Sequence, residues 1–242
     1  MSDPAVEPVA GTRGGPQVIP RPPQWRPGPG SPWGRPGARR PGAIRLADVA
    51  SALQSRGPVP DEPTGEVPLV ALPGARRRPA AVLCALFEED GQANVVLTRR
   101  SSRLRSHTHQ VSFPGGRLDT GEGPLEAALR EAREEVGLDP TGVRVLGRLS
   151  PLRTAVNPAP ITPFVGSLDA RPVLVPNPAE VERAFTVPLV ELTDPEVYRE
   201  ELWTFPDGVE RAMQFFELIG DTVWGATARM LVELLDLVVS GT

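Results

Sequence analysis

The sequence predicts a single α/β or α+β domain that follows a tail without regular structure. Between residues 44 and 242, short apolar segments typical of strands alternate with two or three helical patterns. Residues 1–43 contain 11 prolines and 8 glycines, so this segment cannot bury enough apolar surface to offset the entropy lost on ordering. We therefore predict a disordered tail at residues 1–43 and one folded domain at residues 44–242.

The composition of the chain excludes several classes of protein. A formal net charge of −4 is unfavourable for a general nucleic-acid binder, and the apolar runs are too short to span a bilayer. Cys84 is the single cysteine, which excludes an intrachain disulfide and a cysteine-rich zinc site. The chain contains no lysine, so Schiff-base chemistry and a P-loop are excluded as well. We expect a cytoplasmic protein that binds neither a membrane nor a nucleic acid.

The first half of the domain is expected to contain two helices and two strands. Apolar residues at helical spacing predict a short helix at residues 44–56, which a Gly-Pro pair ends. Two strands are predicted at residues 80–87 and 94–98, on either side of a Glu-Asp-Gly turn. A second helix is predicted at residues 124–136, because proline suits its first position and Gly137 suits the residue just past its end.

The second half is expected to add strands and a closing helix. Strands are predicted at residues 144–149, 161–168 and 213–219. The closing helix is predicted at residues 221–239, where the apolar residues fall on one stripe. The segment at residues 101–113, between the first strand pair and the second helix, is polar and is expected to be irregular.

The helix at residues 124–136 carries the residues that suggest chemistry. Glu131, Glu134 and Glu135 lie at positions i, i+3 and i+4, so they form one wedge beside the apolar stripe. Like charges at this spacing repel one another, and the helix dipole disfavours anions in the last turn. A solvated acidic face is one interpretation of this pattern. The other is a site for a hard divalent cation, because carboxylate oxygens suit Mg²⁺ or Mn²⁺.

The segment from Gly116 to Leu138 resembles the Nudix box. Gly116, Glu122 and the run Arg130-Glu131-Ala132-Arg133-Glu134-Glu135-Val136-Gly137-Leu138 occupy its defined positions, with Ala132 where a larger aliphatic residue is usual. The resemblance implies the Nudix fold, a mixed sheet sandwiched between helices, over about residues 44–242. It also implies hydrolysis of a nucleoside diphosphate linked to another group. Homodimers are common in the family, so the resemblance is compatible with a homodimer.

The resemblance implies a set of metal ligands. Glu131, Glu134 and Glu135 would bind the Mg²⁺ or Mn²⁺ ions, with Glu134 and Glu135 as the first candidates. The backbone carbonyl of Gly116 would join them. These ions would activate water and neutralise the charge of a diphosphate.

Three further residues receive roles by the same resemblance. Arg130 would pair with a neighbouring carboxylate and hold the acidic wedge in place. Glu122 would brace the junction between loop and helix, or would reach the metal through water. Glu180 is a candidate general base, because relatives carry an acidic residue in the corresponding loop. A solvated loop acid is the alternative interpretation of Glu180.

Residues 96–116 resemble the signature of the coenzyme A pyrophosphatase branch of the family. The matching residues are Leu97, Thr98, Arg100, Ser101, Arg105, Phe113, Pro114, Gly115 and Gly116. Val96 replaces a leucine, His109 replaces a glycine, and residues 152–163 lack an expected aromatic residue. The resemblance implies a small-molecule nucleotide substrate, coenzyme A, which would be cleaved to 4′-phosphopantetheine and adenosine 3′,5′-bisphosphate. The alternatives are another derivative such as ADP-ribose or NADH, or a module that senses a nucleotide without cleaving it.

Four arginines in this stretch favour a phosphate ligand, because guanidinium binds phosphate through two parallel hydrogen bonds. We assign the contacts with substrate phosphates to Arg100 and Arg105. Arg99 and Arg103 are interpreted as residues that line a solvent-facing strand end. A glycine at the position of His109 would allow a backbone angle or a close approach that histidine resists.

Overall fold

The structure is a computed structural model that describes residues 12–31, 33, 41–61, 63, 78–103, 108–153 and 159–240. The helices in these ranges are α1 (Leu46–Ser55), α2 (Pro124–Val136) and α3 (Gly225–Ser240). The strands, in chain order, are β1 (Trp25–Pro27), β2 (Ala80–Glu89), β3 (Gln92–Arg100), β4 (Val111–Ser112), β5 (Gly115–Arg117), β6 (Arg144–Arg148), β7 (Ile161–Ser167), β8 (Val181–Pro188), β9 (Tyr198–Thr204), β10 (Glu210–Leu218) and β11 (Asp221–Trp224). None of the helices described is long and apolar enough to cross a membrane.

The larger sheet is mixed and has β2 and β3 at its centre. Its order is β4-β3-β2-β7-β6, and β5 and β8 add to it by pairing with β2 and β3. Strands β2 and β3 are antiparallel, whereas β2 and β7 run parallel. Asp90 and Gly91, which join β2 to β3, have φ angles of 51° and 71°, and two positive φ angles are typical of a tight hairpin turn.

Side chains along β2 alternate between two apolar cores. Leu83 and Phe87 pack with the apolar stripe of α2. Cys84 and Leu86 lie in the larger core, which also contains apolar residues of α1 and α3. The sheet is therefore covered on both faces, which explains why β2 is apolar without interruption. The expected mixed α/β fold, with a sheet between helices, is confirmed.

The second sheet is antiparallel and joins the start of the described chain to its end. Its order is β1-β9-β10-β11, and α3 follows β11 directly. In this sheet Trp25 of β1 lies opposite Trp203 of β9. The sheet therefore attaches residues that come before the predicted domain to residues near the C-terminus.

The described part of the N-terminal segment differs from the disordered tail expected at residues 1–43. Trp33 is only 3% exposed, its indole N–H donates to the carbonyl of Thr193 at 3.1 Å, and its ring packs edge-on against Tyr198 at 5.1 Å. Trp33 is buried and Trp25 lies in a paired strand, whereas the proline and glycine content predicted neither burial nor strand pairing. Residues 1–11, 32 and 34–40 lie outside the described residues.

Helix α2 has the predicted bounds, but the closing helix begins later than predicted. Residues 221–224 form β11, and α3 begins at Gly225, whose φ is 65°. The extended backbone keeps the fully buried Asp221 in contact with Arg99 and Arg183, at 3.2 Å and 3.1 Å from its two carboxylate oxygens. Strands β8 and β9 form where none is predicted, because charged residues interrupt their apolar positions.

The two tryptophans of the N-terminal segment give a matched test of its packing. We expect Trp33→Ala to lower the free energy of unfolding by about 3–5 kcal/mol, because it removes a buried ring and its hydrogen bond. Trp25 is 47% exposed, so Trp25→Ala should cost about 1 kcal/mol or less. Denaturant unfolding of both variants measures these costs. Equal and negligible effects would show that the segment does not pack in solution.

Candidate active site

Two glycines let strand β5 pack very closely, Gly115 against strand β2 and Gly116 against helix α2. Gly115 has a φ of 155°, and a Cβ there would lie 2.4 Å from the carbonyl oxygen of Ala81. At Gly116, a Cβ would lie 2.4 Å from the carboxyl carbon of Glu131. At Gly115 the clash would be with backbone, which cannot move aside, whereas at Gly116 a side chain would take the place of the Glu131 carboxylate.

Three carboxylates meet beside these glycines. Glu131, Glu135 and Glu180 each offer an oxygen, and the three oxygens lie within 4.8 Å of one another. Glu135 is only 5% exposed, and its Oε2 accepts a hydrogen bond from the amide of Gly115 at 3.1 Å. We refer to Glu131, Glu135 and Glu180 as the acidic cluster.

The loop before β8 brings Glu180 to the end of α2. The amide of Asn177 donates to the carbonyl of Glu135 at 2.8 Å, and the amide of Ser101 donates to the carbonyl of Glu180, also at 2.8 Å. The backbone of Glu180 is therefore tied to the residue that follows β3, while the loop just before it is tied to α2. This explains how residues far apart in the sequence form one cluster.

Burial and mutual repulsion change the proton affinities of the cluster. Burial of Glu135 is the largest cause that raises its carboxyl pKa, to about 7, and the charges of Glu131 and Glu180 add to it. The amide of Gly115 and the positive charge of Arg100 act in the opposite direction. Burial is also the main cause that raises the pKa of Glu131. The cluster therefore holds negative charge at a free-energy cost.

Arg130 forms the opposite side of the site. Its Nε and Nη2 donate to the two oxygens of Glu122 at 2.8 Å and 3.0 Å, and its Nη1 lies 3.0 Å from oxygens of both Glu131 and Glu134. Nη2 also donates to the carbonyl of Arg117 at 3.1 Å. The hydrogen bonds from Arg130 are the main cause that lowers the pKa of Glu122 to about 2. Glu122 is therefore ionised and fixed against the helix.

The structure separates Glu134 from the other two box glutamates. Glu134 lies outside the acidic cluster, its side chain is 55% exposed, and its carboxylate pairs with Arg130. Glu180, a candidate general base or a solvated loop acid in the sequence, lies in the cluster, and its role as a base stays a prediction. The metal-binding role of Glu134 stays a prediction, as does that of the Gly116 carbonyl.

The predicted phosphate-binding arginines are only partly described. Arg100 ends β3 and lies near enough to Glu135 to lower its pKa. Arg105 lies outside the described residues. Arg99, expected at a solvent-facing strand end, is mostly buried, and its guanidinium donates to Asp221 and Glu182. These two acids, which no sequence motif indicated, make Arg99 part of the internal packing.

His109, which replaces a glycine of the coenzyme A pyrophosphatase signature, has a positive φ angle. Its φ is 60°, which lies in the left-handed region where glycine is favoured and other residues are strained. The histidine therefore keeps a glycine-like turn at this position. Its Nδ1 lies 3.1 Å from a carboxylate oxygen of Glu182.

The acidic cluster fits a hard divalent cation. Its ligand atoms are carboxylate oxygens, which suit Mg²⁺ or Mn²⁺ better than softer metals. A cation would also relieve the repulsion among three carboxylates so close together. Glu131, Glu135 and Glu180 are the residues whose positions would allow them to hold such an ion.

Comparisons with known proteins show to which family the chain belongs. A NUDIX domain profile matches residues 77–213, which is more than half of the chain, so the chain belongs to the Nudix family of hydrolases. Nudix hydrolase 22, chloroplastic, of Arabidopsis thaliana is 39% identical over 173 residues, which cover 67% of this chain and 56% of that relative. Nudix hydrolase NudL of Photorhabdus laumondii is 35% identical over 196 residues, which cover 81% of this chain and 98% of the relative.

One solved structure illustrates the more distant similarity. A MutT/nudix family protein from Enterococcus faecalis aligns over 81% of this chain and 70% of its own, with 15% sequence identity and a TM-score of 0.47. The chain spans only about half the length of the plant relative (56%). Its activity and substrate must therefore be argued from its own residues.

We expect Glu135 to make the stability of the metal-free protein depend on pH. Its carboxyl pKa is raised from 4.5 to about 7, so the folded state binds this proton more tightly than the unfolded state. The stabilisation is full below the lower value and is lost as the pH rises through the higher one. Denaturant unfolding with a chelator at about pH 5 and about pH 8 measures the loss, which should be on the order of 2 kcal/mol. Glu135→Gln should remove most of this loss and leave the part that comes from Glu131, whose pKa is also raised; an unchanged loss would contradict this assignment.

Proposed function

We propose that the chain is a metal-dependent hydrolase that cleaves the diphosphate of a nucleoside diphosphate derivative. The observation that carries the proposal is the acidic cluster, where three carboxylate oxygens lie within 4.8 Å of one another. Family membership supports the same chemistry, because the curated relatives that match are named as Nudix hydrolases. A bound Mg²⁺ or Mn²⁺ would neutralise phosphate charge and lower the pKa of a water molecule.

The residues of the chain divide the remaining work. Glu131, Glu135 and Glu180 would hold the cation, and one carboxylate of the cluster would accept the proton that the attacking water loses. The water oxygen bonds to one phosphorus while the bridging phosphorus–oxygen bond breaks, so that two phosphorylated products leave. Arg100, at the edge of the cluster, binds a phosphate oxygen of the substrate. Arg130 keeps Glu131 oriented through its 3.0 Å contact.

Coenzyme A is the substrate that we propose within this class. The support is the match of residues 96–116 to the coenzyme A pyrophosphatase signature. The departure at His109 weighs less than the sequence suggested, because the histidine adopts the left-handed angle that a glycine would provide. The missing aromatic residue in residues 152–163 counts against coenzyme A, so ADP-ribose and NADH are kept as alternative substrates. The names of the curated relatives do not state a substrate.

Metal affinity tests the acidic cluster directly. We expect Glu131→Gln, Glu135→Gln and Glu180→Gln each to weaken Mn²⁺ binding at least about tenfold, because each removes a charged ligand. Glu126→Gln is the matched control. This residue lies on the same helix, its carboxylate accepts from the amide of Gly123 at 2.9 Å, and glutamine keeps an oxygen there. Calorimetric titration measures the Mn²⁺ affinity of the wild-type chain and of each variant.

The pattern of losses decides the ligand set. An equal loss in the Glu126→Gln control would show that overall charge, rather than ligation, sets the affinity. A loss in Glu134→Gln as large as in Glu135→Gln would add Glu134 to the ligands, as the Nudix resemblance implies. Retained affinity in all three cluster variants would contradict the site.

A substrate panel tests the activity. Purified protein with Mg²⁺ or Mn²⁺ is incubated with coenzyme A, acetyl-CoA, ADP-ribose and NADH, and the products are separated by chromatography. We expect adenosine 3′,5′-bisphosphate and 4′-phosphopantetheine from coenzyme A, at a rate that Glu135→Gln lowers about a hundredfold or more. Cleavage of ADP-ribose or NADH alone would retain the hydrolase and replace the substrate. Binding without cleavage of any member would contradict hydrolysis and favour a sensing module.

A further inference from the structure

A buried glutamine joins the N-terminal segment to the region beside the acidic cluster. Gln17 is 8% exposed. Its Nε2 donates to the carbonyl of His109 at 2.9 Å and to a carboxylate oxygen of Asp221 at 2.8 Å. Its Oε1 accepts the amide of Thr222 at 2.8 Å. One side chain therefore links the N-terminal segment to the turn at residues 108–110 and to β11.

That turn contains a backbone conformation that needs support. The φ of His109 is 60°, and a non-glycine residue keeps such an angle only where its surroundings fix it. Gln17 fixes the peptide unit that follows the histidine, and Glu182 contacts the imidazole at 3.1 Å. A glycine, which the matched family signature has at this position, would need less support because it adopts positive φ readily.

Two backbone hydrogen bonds join the turn at residues 108–110 to Arg100. The amide of Arg100 donates to the carbonyl of Gln110 at 2.9 Å, and the carbonyl of Arg100 accepts the amide of His109 at 3.1 Å. The next residue, Ser101, donates its amide to the carbonyl of Glu180 at 2.8 Å. Arg100 is thus held between the turn and the acidic cluster, and a shift of the turn would move it relative to the cluster.

We propose that Gln17 is a positioning residue for substrate binding. From the N-terminal segment it holds the turn at His109 in place, so that Arg100 meets a phosphate of the nucleoside diphosphate derivative. The inference rests on the proposed function, because it takes Arg100 as the phosphate ligand. It extends the binding site to a segment that lies outside the region matched by the NUDIX profile, residues 77–213.

Steady-state kinetics with the best substrate of the panel tests the role. Gln17→Met keeps the length of the side chain and removes its three hydrogen bonds. We expect KM to rise about five- to tenfold while kcat stays within about twofold, because substrate binding is weakened and the acidic cluster is intact. Arg26→Ala is the control on the same segment. It removes an exposed ion pair with Glu210 and should change neither constant.

Amide hydrogen exchange tests the positioning without any substrate. The amides of Arg100 and His109 should exchange faster in Gln17→Met than in the wild-type chain, and at the wild-type rate in Arg26→Ala. This measurement separates two failures. A wild-type protein that cleaves nothing would defeat the proposed function, while the exchange rates at these two amides would still decide the role of Gln17.

A glycine at position 109 provides the rescue experiment. In the double variant Gln17→Met with His109→Gly, the turn no longer requires support, so KM should return part of the way to the wild-type value. Unchanged KM and exchange rates in Gln17→Met, a loss confined to kcat, or no recovery in the double variant would each overturn the proposal. Thermal unfolding checks that the variants fold. If Gln17→Met does not, Gln17→Asn, whose shorter amide cannot reach all three partners, replaces it in the same assays.

Discussion

The close approach of strand β5 to helix α2 determines the character of the candidate site. Because Gly116 lacks a side chain, the carboxylate of Glu131 can lie directly against the strand backbone, and the amide of Gly115 donates to the carboxylate of Glu135. The same approach removes Glu135 from solvent and raises its pKa to about 7. Close packing therefore holds carboxylates together at an electrostatic free-energy cost, which a bound cation would reduce. A larger residue at Gly115 would clash with the backbone of β2, and one at Gly116 would displace the carboxylate of Glu131.

The two sides of the acidic wedge are stabilised in different ways. On the exposed side, Arg130 binds Glu122, Glu131 and Glu134, so negative charge there is offset within the chain. On the buried side, Glu135 receives one backbone amide and the more distant charge of Arg100. Glu131 belongs to both sides. The protein thus fixes the orientation of its carboxylates with one arginine and leaves the buried side with a net negative charge.

How much the sequence could predict depended on the range of the interactions involved. Helix α2 was predicted with its observed bounds because its signals are local: a proline at the first position and Gly137, with a φ of 74°, just past the end. The sequence also predicted the spacing of the box glutamates. It did not predict that Glu131 and Glu135 join Glu180 while Glu134 lies apart, because only the fold brings the loop of Glu180 close to helix α2. The N-terminal segment was misjudged because its pairing partners lie far along the chain, where composition carries no information.

The pairing of β1 with β9 also bears on the order in which the molecule is assembled. Trp25 lies opposite Trp203, so β1 has its place in the sheet only after the much later strand β9 has been made. Closing so large a loop costs entropy that must be met before the contact stabilises anything. Residues of the Nudix box are available to pack with β2 well before that moment. The N-terminal segment is thus synthesised well before its pairing partners, and until these emerge Trp25 and Trp33 lack their contacts with β9, Thr193 and Tyr198.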